Sequence, residues 1–268
     1  MTRYTIPMLI IALCALSFSS NVLADDAKAR EIMQKVLDRD DGDNRTARME
    51  MILIDKKGKE RLRKIQTFQK DKGKDDYGLM FFLHPADVKD TAFLTYDYED
   101  PDHDDDQWLY LPALRKTKRI ASTDKSGSFM GSDLNYSDMT DLVLKDYDFF
   151  LKKEMMDRGH KVWIIESIPR SEEVIRETGY TKTWHFVRQD IYYVVRAISW
   201  VHKKNYLKYL DVRELNQIEG IWVGTEMHIF KKQGKKTLHK TILRLHDVKF
   251  NQSMGYDLFT IRKMEAGL

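Results

Sequence analysis

Residues 194–202 read VVRAISWVH, and the fold turns on how that stretch is divided between two faces. In an extended chain alternate side chains point to opposite sides. Val195, Ala197 and Val201 then point one way, while Val194, Ile198 and Trp200 point the other. A sheet with one wet face would alternate apolar with polar residues. Apolar groups on both sides predict a sheet that carries packing on one face and encloses an apolar interior with the other.

Working outward, the chain from about 145 to 250 reads as a long antiparallel meander. Strands are predicted near 145–155, 160–168, 181–189, 192–203, 206–216, 220–231 and 236–250, with turns at DRGH, NQIEG and KKQGKK. Upstream, Ala47, Met49, Met51 and Leu53 alternate with Thr46, Arg48, Glu50 and Ile52, and DKKGK forms a hairpin turn. Strands at 59–70 and 77–84 follow, then QWLYLP, the turn PALR and the strand KTKRIA. About ten or eleven consecutive strands predict a barrel or strongly curled sheet, with a two-layer sandwich as the simpler alternative. Two helices are expected. One covers 26–39, where Ala29, Ile32, Met33, Val36 and Leu37 make one apolar stripe behind Asp25 or Asp26 as cap. A shorter one near 137–144 places Met139, Leu142 and Val143 together.

The first 24 residues have the layout of a secretory signal peptide. Arg3 precedes an apolar run from Pro7 to Phe18, and small residues close on Val22-Leu23-Ala24. Cleavage between Ala24 and Asp25 is expected, leaving 25–268 as a single domain. The apolar run is short beside the ~20 residues that a spanning helix needs. Cys14 is the chain's one cysteine and leaves with that segment, so no disulfide, Cys-ligated metal or thiol nucleophile is expected in the mature chain. Charged residues make up 32% of the chain, but their signs are mixed and the formal net charge is only +3. Nucleic acid is not an expected partner.

The chain shows no HExxH or HxxEH motif among its eight histidines, no GxSxG elbow and no phosphate loop. No catalytic residue, metal or cofactor is therefore expected. The acidic stretch DYEDPDHDDD, 97–106, lacks the alternation and glycine of a Ca²⁺ loop and reads as solvated. Arg115, Lys116, Lys118 and Arg119 read first as a solvated hairpin; the alternative is a lipid head group or an acidic partner surface, with transient contact at a membrane surface. In SGSFMGSD, 126–133, Phe129 and Met130 sit between Gly127 and Gly131, and two readings are open: a fixed plug, or a mobile lid hinged at the glycines.

Residues 108–139, WLYLPALRKTKRIASTDKSGSFMGSDLNYSDM, resemble the signature region of the outer-membrane lipoprotein-sorting-protein family, a longer branch of the LolA/LolB-like superfamily. GYDLFTIRKM near the C-terminus resembles it too. The resemblance implies a mainly β (α+β) fold: an unclosed antiparallel barrel around an apolar cavity, with N-terminal and lid helices. It implies a non-enzymatic periplasmic carrier of a lipid or acylated cargo, or an accessory subunit of an RND-type exporter. On that reading Trp108, Tyr110, Phe129, Met130, Met139 and Leu142 are the expected cavity and lid residues.

Overall fold

The structure, a computed structural model, describes residues 25–268; the expected signal peptide, with Cys14, lies outside the described residues. Helix α1 (Ala27–Leu37) opens it, capped by the Asp26 carboxylate, which accepts from the Lys28 and Ala29 amides. Six strands follow: β1 (Asn44–Ile54), β2 (Glu60–Lys72), β3 (Asp75–His84), β4 (Ala92–Asp97), β5 (Asp106–Leu111) and β6 (Lys116–Arg119). Residues 120–146 then cross to a second run, β7 (Tyr147–Asp157) and β8 (His160–Pro169). After α2 (Glu172–Thr178) come β9 (Tyr180–Arg188), β10 (Val194–Val201), β11 (Leu207–Ile218), β12 (Ile221–Gln233) and β13 (Lys236–Phe250). Helix α3 (Ile261–Ala266) ends the chain's regular structure.

All thirteen strands form one antiparallel sheet in the order β6-β5-β4-β3-β2-β1-β13-β12-β11-β10-β9-β8-β7. Two meanders are thus joined where β1 pairs with β13, Met51 opposite Leu243. The ends, β6 and β7, do not pair, so the barrel is unclosed. The count exceeds the expected ten or eleven. Strand β4 escaped sequence reading because its first four residues, Ala92 to Thr95, are all buried and show no alternation.

The concave face holds the main core. Met51, Leu53, Ile65, Phe82, Phe93, Leu109, Phe129 and Leu243 pack there in one cluster. Helix α1 buries Ala29, Ile32 and Met33 against Tyr147, Phe149, Ile165 and Val187 of β7–β9. On the convex side of β3–β5, the C-terminal segment lays Phe259 and Met264 over Tyr77, Leu79 and Leu94. Packing on both faces explains the two-sided apolar pattern. A bulge between Val194 and Arg196 shifts the parity of β10, so Val194 joins the cluster beneath α1 while Val195 packs with Ile198 and Trp184. Simple alternation assigns those two valines to the opposite faces.

The helix expected at 137–144 is replaced by a short 3₁₀ turn, Tyr136–Met139. Asn135 and Asp138 form a capping box that starts it. Thr140 is then extended, and the Asp141 amide donates to Asp97 Oδ2 at 2.6 Å rather than continuing a helix.

Candidate functional site

Between the concave face and the 120–146 crossover lies a cavity of about 570 Å³. That is within the roughly 300–1,000 Å³ of small-molecule sites. Five methionines contribute to its wall: Met49 and Met51 from β1, Met80 from β3, Met139 from the crossover and Met227 from β12. Unbranched thioethers re-pack around irregular apolar shapes, and Leu142, Leu210, Ile229 and Leu243 add to the same wall.

Into this apolar wall the structure sets two polar groupings, besides the buried Lys125, whose Nζ donates to Glu177 Oε1 at 2.6 Å. In the first, Lys208 is buried and its Nζ donates to Asp138 Oδ2 and to the Tyr180 hydroxyl. The Tyr180 hydroxyl in turn donates to Asp138 Oδ1 at 2.8 Å, and the Asn135 amide donates to Asp138 Oδ2 at 2.6 Å. Burial pushes Lys208 below the ordinary lysine range, opposed by Asp138. Burial also raises Tyr180 well above its usual range, reinforced by the same carboxylate. In the second, Ser167 Oγ lies 2.8 Å from His185 Nε2. Ser167 pairs with Thr183 across β8 and β9, which puts His185 diagonally opposite on the same face. Burial lowers His185 to about 4, so the imidazole is neutral near pH 7. No carboxylate hydrogen-bonds it among the described residues. A neutral imidazole of such weak basicity, without a carboxylate partner among the described residues, is a poor base for activating a hydroxyl.

The 126–133 segment covers one flank of the cavity. Phe129 is 1% exposed, edge-on to Phe93 at 5.0 Å and to Tyr136 at 5.5 Å. Its amide donates to the Leu134 carbonyl at 2.7 Å, and the Ser128 hydroxyl to the Ser132 carbonyl at 2.6 Å. Asp133 is wholly buried and accepts from Thr241 Oγ1 at 2.8 Å, with His239 Nδ1 at 2.6 Å. Met130 takes a left-handed φ of 50°, is half-buried, and its carbonyl accepts from Arg63. Gly131 has φ +73°, and a Cβ on Gly127 would meet the Asp124 carbonyl at 2.9 Å. The two glycines therefore meet different local demands: a left-handed turn and a close backbone approach.

Of the residues expected at the cavity, Phe129, Met139 and Leu142 line it, and Met130 packs beside Phe129 in the core cluster. Trp108 and Tyr110 do not. They lie on the convex face, half-buried beneath the C-terminal segment, with Trp108 edge-on to Tyr96 at 5.0 Å. Their strand neighbours Leu109 and Leu111 face inward instead. Trp108 and Tyr110 thus share one face of β5 and Leu109 and Leu111 the other, and the covering of the outer face by the C-terminal segment gives the first pair an apolar setting outside the cavity.

A smaller polar cleft of about 220 Å³ adjoins at one end of β1–β4, lined by Asp41, Asp71, Asp76, Asp97 and Asp141 with Arg45. Burial and neighbouring carboxylates push Asp76 and Asp97 up to about 8. The basic hairpin of 115–119 is exposed and partly neutralised on the spot: Lys118 pairs with Asp124 and Arg119 with Asp106.

A family model described as "-like: Uncharacterized protein" matches residues 74–266. A DUF1329 family protein from Desulfovibrio piger is 27% identical, with a TM-score of 0.81 over 90% of this chain and 99% of that one. A putative outer membrane lipoprotein-sorting protein domain from Vibrio parahaemolyticus is 31% identical, with a TM-score of 0.80 over 89% and 98%. A LolA superfamily protein from Nitrosomonas europaea shares the fold at 16% identity, with a TM-score of 0.64 over 87% and 98%. No curated protein matches the chain. The match at 31% identity over most of both chains shows that the chain belongs to the outer-membrane lipoprotein-sorting-protein family, and its unclosed thirteen-stranded sheet has the fold of the LolA superfamily protein.

Proposed function

We propose that the protein is a periplasmic carrier that shields an acylated, amphiphilic cargo, released from its precursor by cleavage after Ala24. The observation that carries this reading is the cavity itself: a methionine-rich wall with one buried Lys208–Asp138–Tyr180 cluster set into it. An acyl chain is accommodated by side chains that re-pack. A polar head is met by the Lys208–Asp138–Tyr180 cluster, where donors and an acceptor are already desolvated. Similarity to a protein described as a putative outer membrane lipoprotein-sorting domain supports the same class of cargo. The role needs no bond chemistry, and the weakly basic His185 beside Ser167 is read as a structural hydrogen bond.

Solvent extraction of the purified protein, followed by mass spectrometry, tests the proposal. Stoichiometric acyl lipid, displaced by a fluorescent fatty acid, is expected. An empty extract together with no probe binding would refute the carrier reading. It would favour an accessory subunit docked on an RND-type exporter, for which the unpaired edge strand β7 offers the exposed Met155 and Met156.

A further inference from the structure

The sequence hides a separation of charge that the strand register reveals. Hairpins β1–β2, β12–β13 and β10–β11 turn at the same end of the barrel, and their strands are consecutive in the sheet. Their turns read DKKGKER (55–61), KKQGKK (231–236) and HKKN (202–205). That is ten Lys or Arg against two acidic residues. Lys56, Lys57, Lys203, Lys204, Lys235 and Lys236 are all exposed, and none forms an ion pair among the described residues. The opposite end gathers DRDDGD (38–43), DKGKDD (71–76) and DYEDPDHDDD (97–106), with fourteen acidic residues against three basic. Eleven-residue β1 spans the interval, about 35 Å. The screening length at physiological salt is only about 8 Å, so each end acts on its surroundings by itself. A formal net charge of +3 conceals both.

We propose that the basic end is a docking face for an anionic phospholipid bilayer, presenting the barrel end-on with its acidic end turned away. Three features favour a bilayer over an acidic protein. The cations sit on three separate turns rather than in one shaped pocket. They are almost all lysine, which acts as a point charge, rather than arginine, which pairs carboxylates bidentately. And Leu114, 62% exposed at the β5–β6 turn beside Arg115 and Lys116, stands at the same end as an apolar group free to enter the interface. The inference holds for an empty or a loaded cavity alike.

The test is co-sedimentation of the mature protein with phosphatidylcholine vesicles, with and without phosphatidylglycerol. Binding to the anionic vesicles alone, weakened by salt, is expected. Replacing Lys56, Lys57, Lys203, Lys204, Lys235 and Lys236 by Glu should lower the partition coefficient by more than roughly 100-fold. Lys→Gln changes in one turn at a time should give a graded loss, which protects the test should the sixfold variant misfold. Asp100→Asn, Asp102→Asn and Asp104→Asn, at the far end, should leave binding intact. Equal binding to both vesicle types, or full binding by the folded Lys variants, would overturn the proposal. So would an absence of vesicle binding alongside tight salt-sensitive binding to polyglutamate, which would assign the face to an acidic protein.

Discussion

Replacing Phe129 by Ala distinguishes a fixed plug from a mobile lid. The ring is 1% exposed and packs against Phe93, Tyr136 and Phe82, with centroids 5.0, 5.5 and 6.2 Å away. Its backbone is held by the amide bond to Leu134 and by the neighbouring Asp133–Thr241 anchor. A phenyl group this enclosed cannot be truncated without leaving a void, and such changes typically cost about 3–5 kcal/mol. For a domain of this size each kcal/mol lowers the melting temperature by roughly 2–4 °C. Phe129→Ala is therefore expected to fall by about 10 °C in thermal unfolding. Met130→Ala, at a half-buried neighbour, should shift it far less. Dissociation of a fluorescent acyl probe, measured on the same proteins, supplies the second reading. A melting temperature within the error of wild type, combined with faster probe release, would refute the plug and restore the lid.

Asp138→Ala strands the buried Lys208 without its carboxylate, and a loss of about 3–5 kcal/mol is expected in urea unfolding. A Lys208→Met, Asp138→Leu pair should recover much of it, and a double variant as unstable as the single one would argue against the pairing. His185 is held at about 4 in the folded chain against 6.5 in the unfolded one. The unfolded state then binds more protons, so stability is lost as pH falls from about 6.5 to about 4, by on the order of 3 kcal/mol. His185→Gln should flatten that part of the profile, and identical slopes for both proteins would contradict the assignment. Asp97 has the opposite sign: its raised folded value makes stability decline as pH rises toward 8, and Asp97→Asn should remove its share of that decline while leaving the share of Asp76. N-terminal sequencing of the exported protein is expected to begin at Asp25, whose carboxylate accepts from the Phe149 amide at 2.7 Å. An uncleaved N-terminus in the membrane fraction would contradict the proposed processing.

Much of the sheet was legible because Ala47, Met49, Met51 and Leu53 announce both a period and a face. Where both faces are covered, the period survives but the identity of the inside does not. Trp108 and Tyr110 are the example, since the segment that buries them lies some 150 residues downstream. The cavity's polar clusters were not legible at all. Lys208, Asp138 and Tyr180 come from β11, the crossover and β9, and Ser167 and His185 meet only through the β8–β9 register. No spacing along the chain encodes either meeting. The 137–144 helix failed for a local reason, the capture of the Asp141 amide by Asp97.

The seam between β1 and β13 has a kinetic consequence. Every other strand pair except this one joins elements that are consecutive along the chain, whereas Met49 must find Leu245 across nearly the whole domain. Contacts so distant in sequence are slow to form, because loop-closure entropy is lost before any pairing rewards it. Until residues 236–250 emerge, the first meander keeps an unpaired β1 edge open, a template for pairing with other chains. Docking of 251–268 onto β3–β5 comes later still in the order in which the chain emerges. The time spent in that half-built state, rather than the stability of the finished barrel, sets how readily the protein aggregates as it folds.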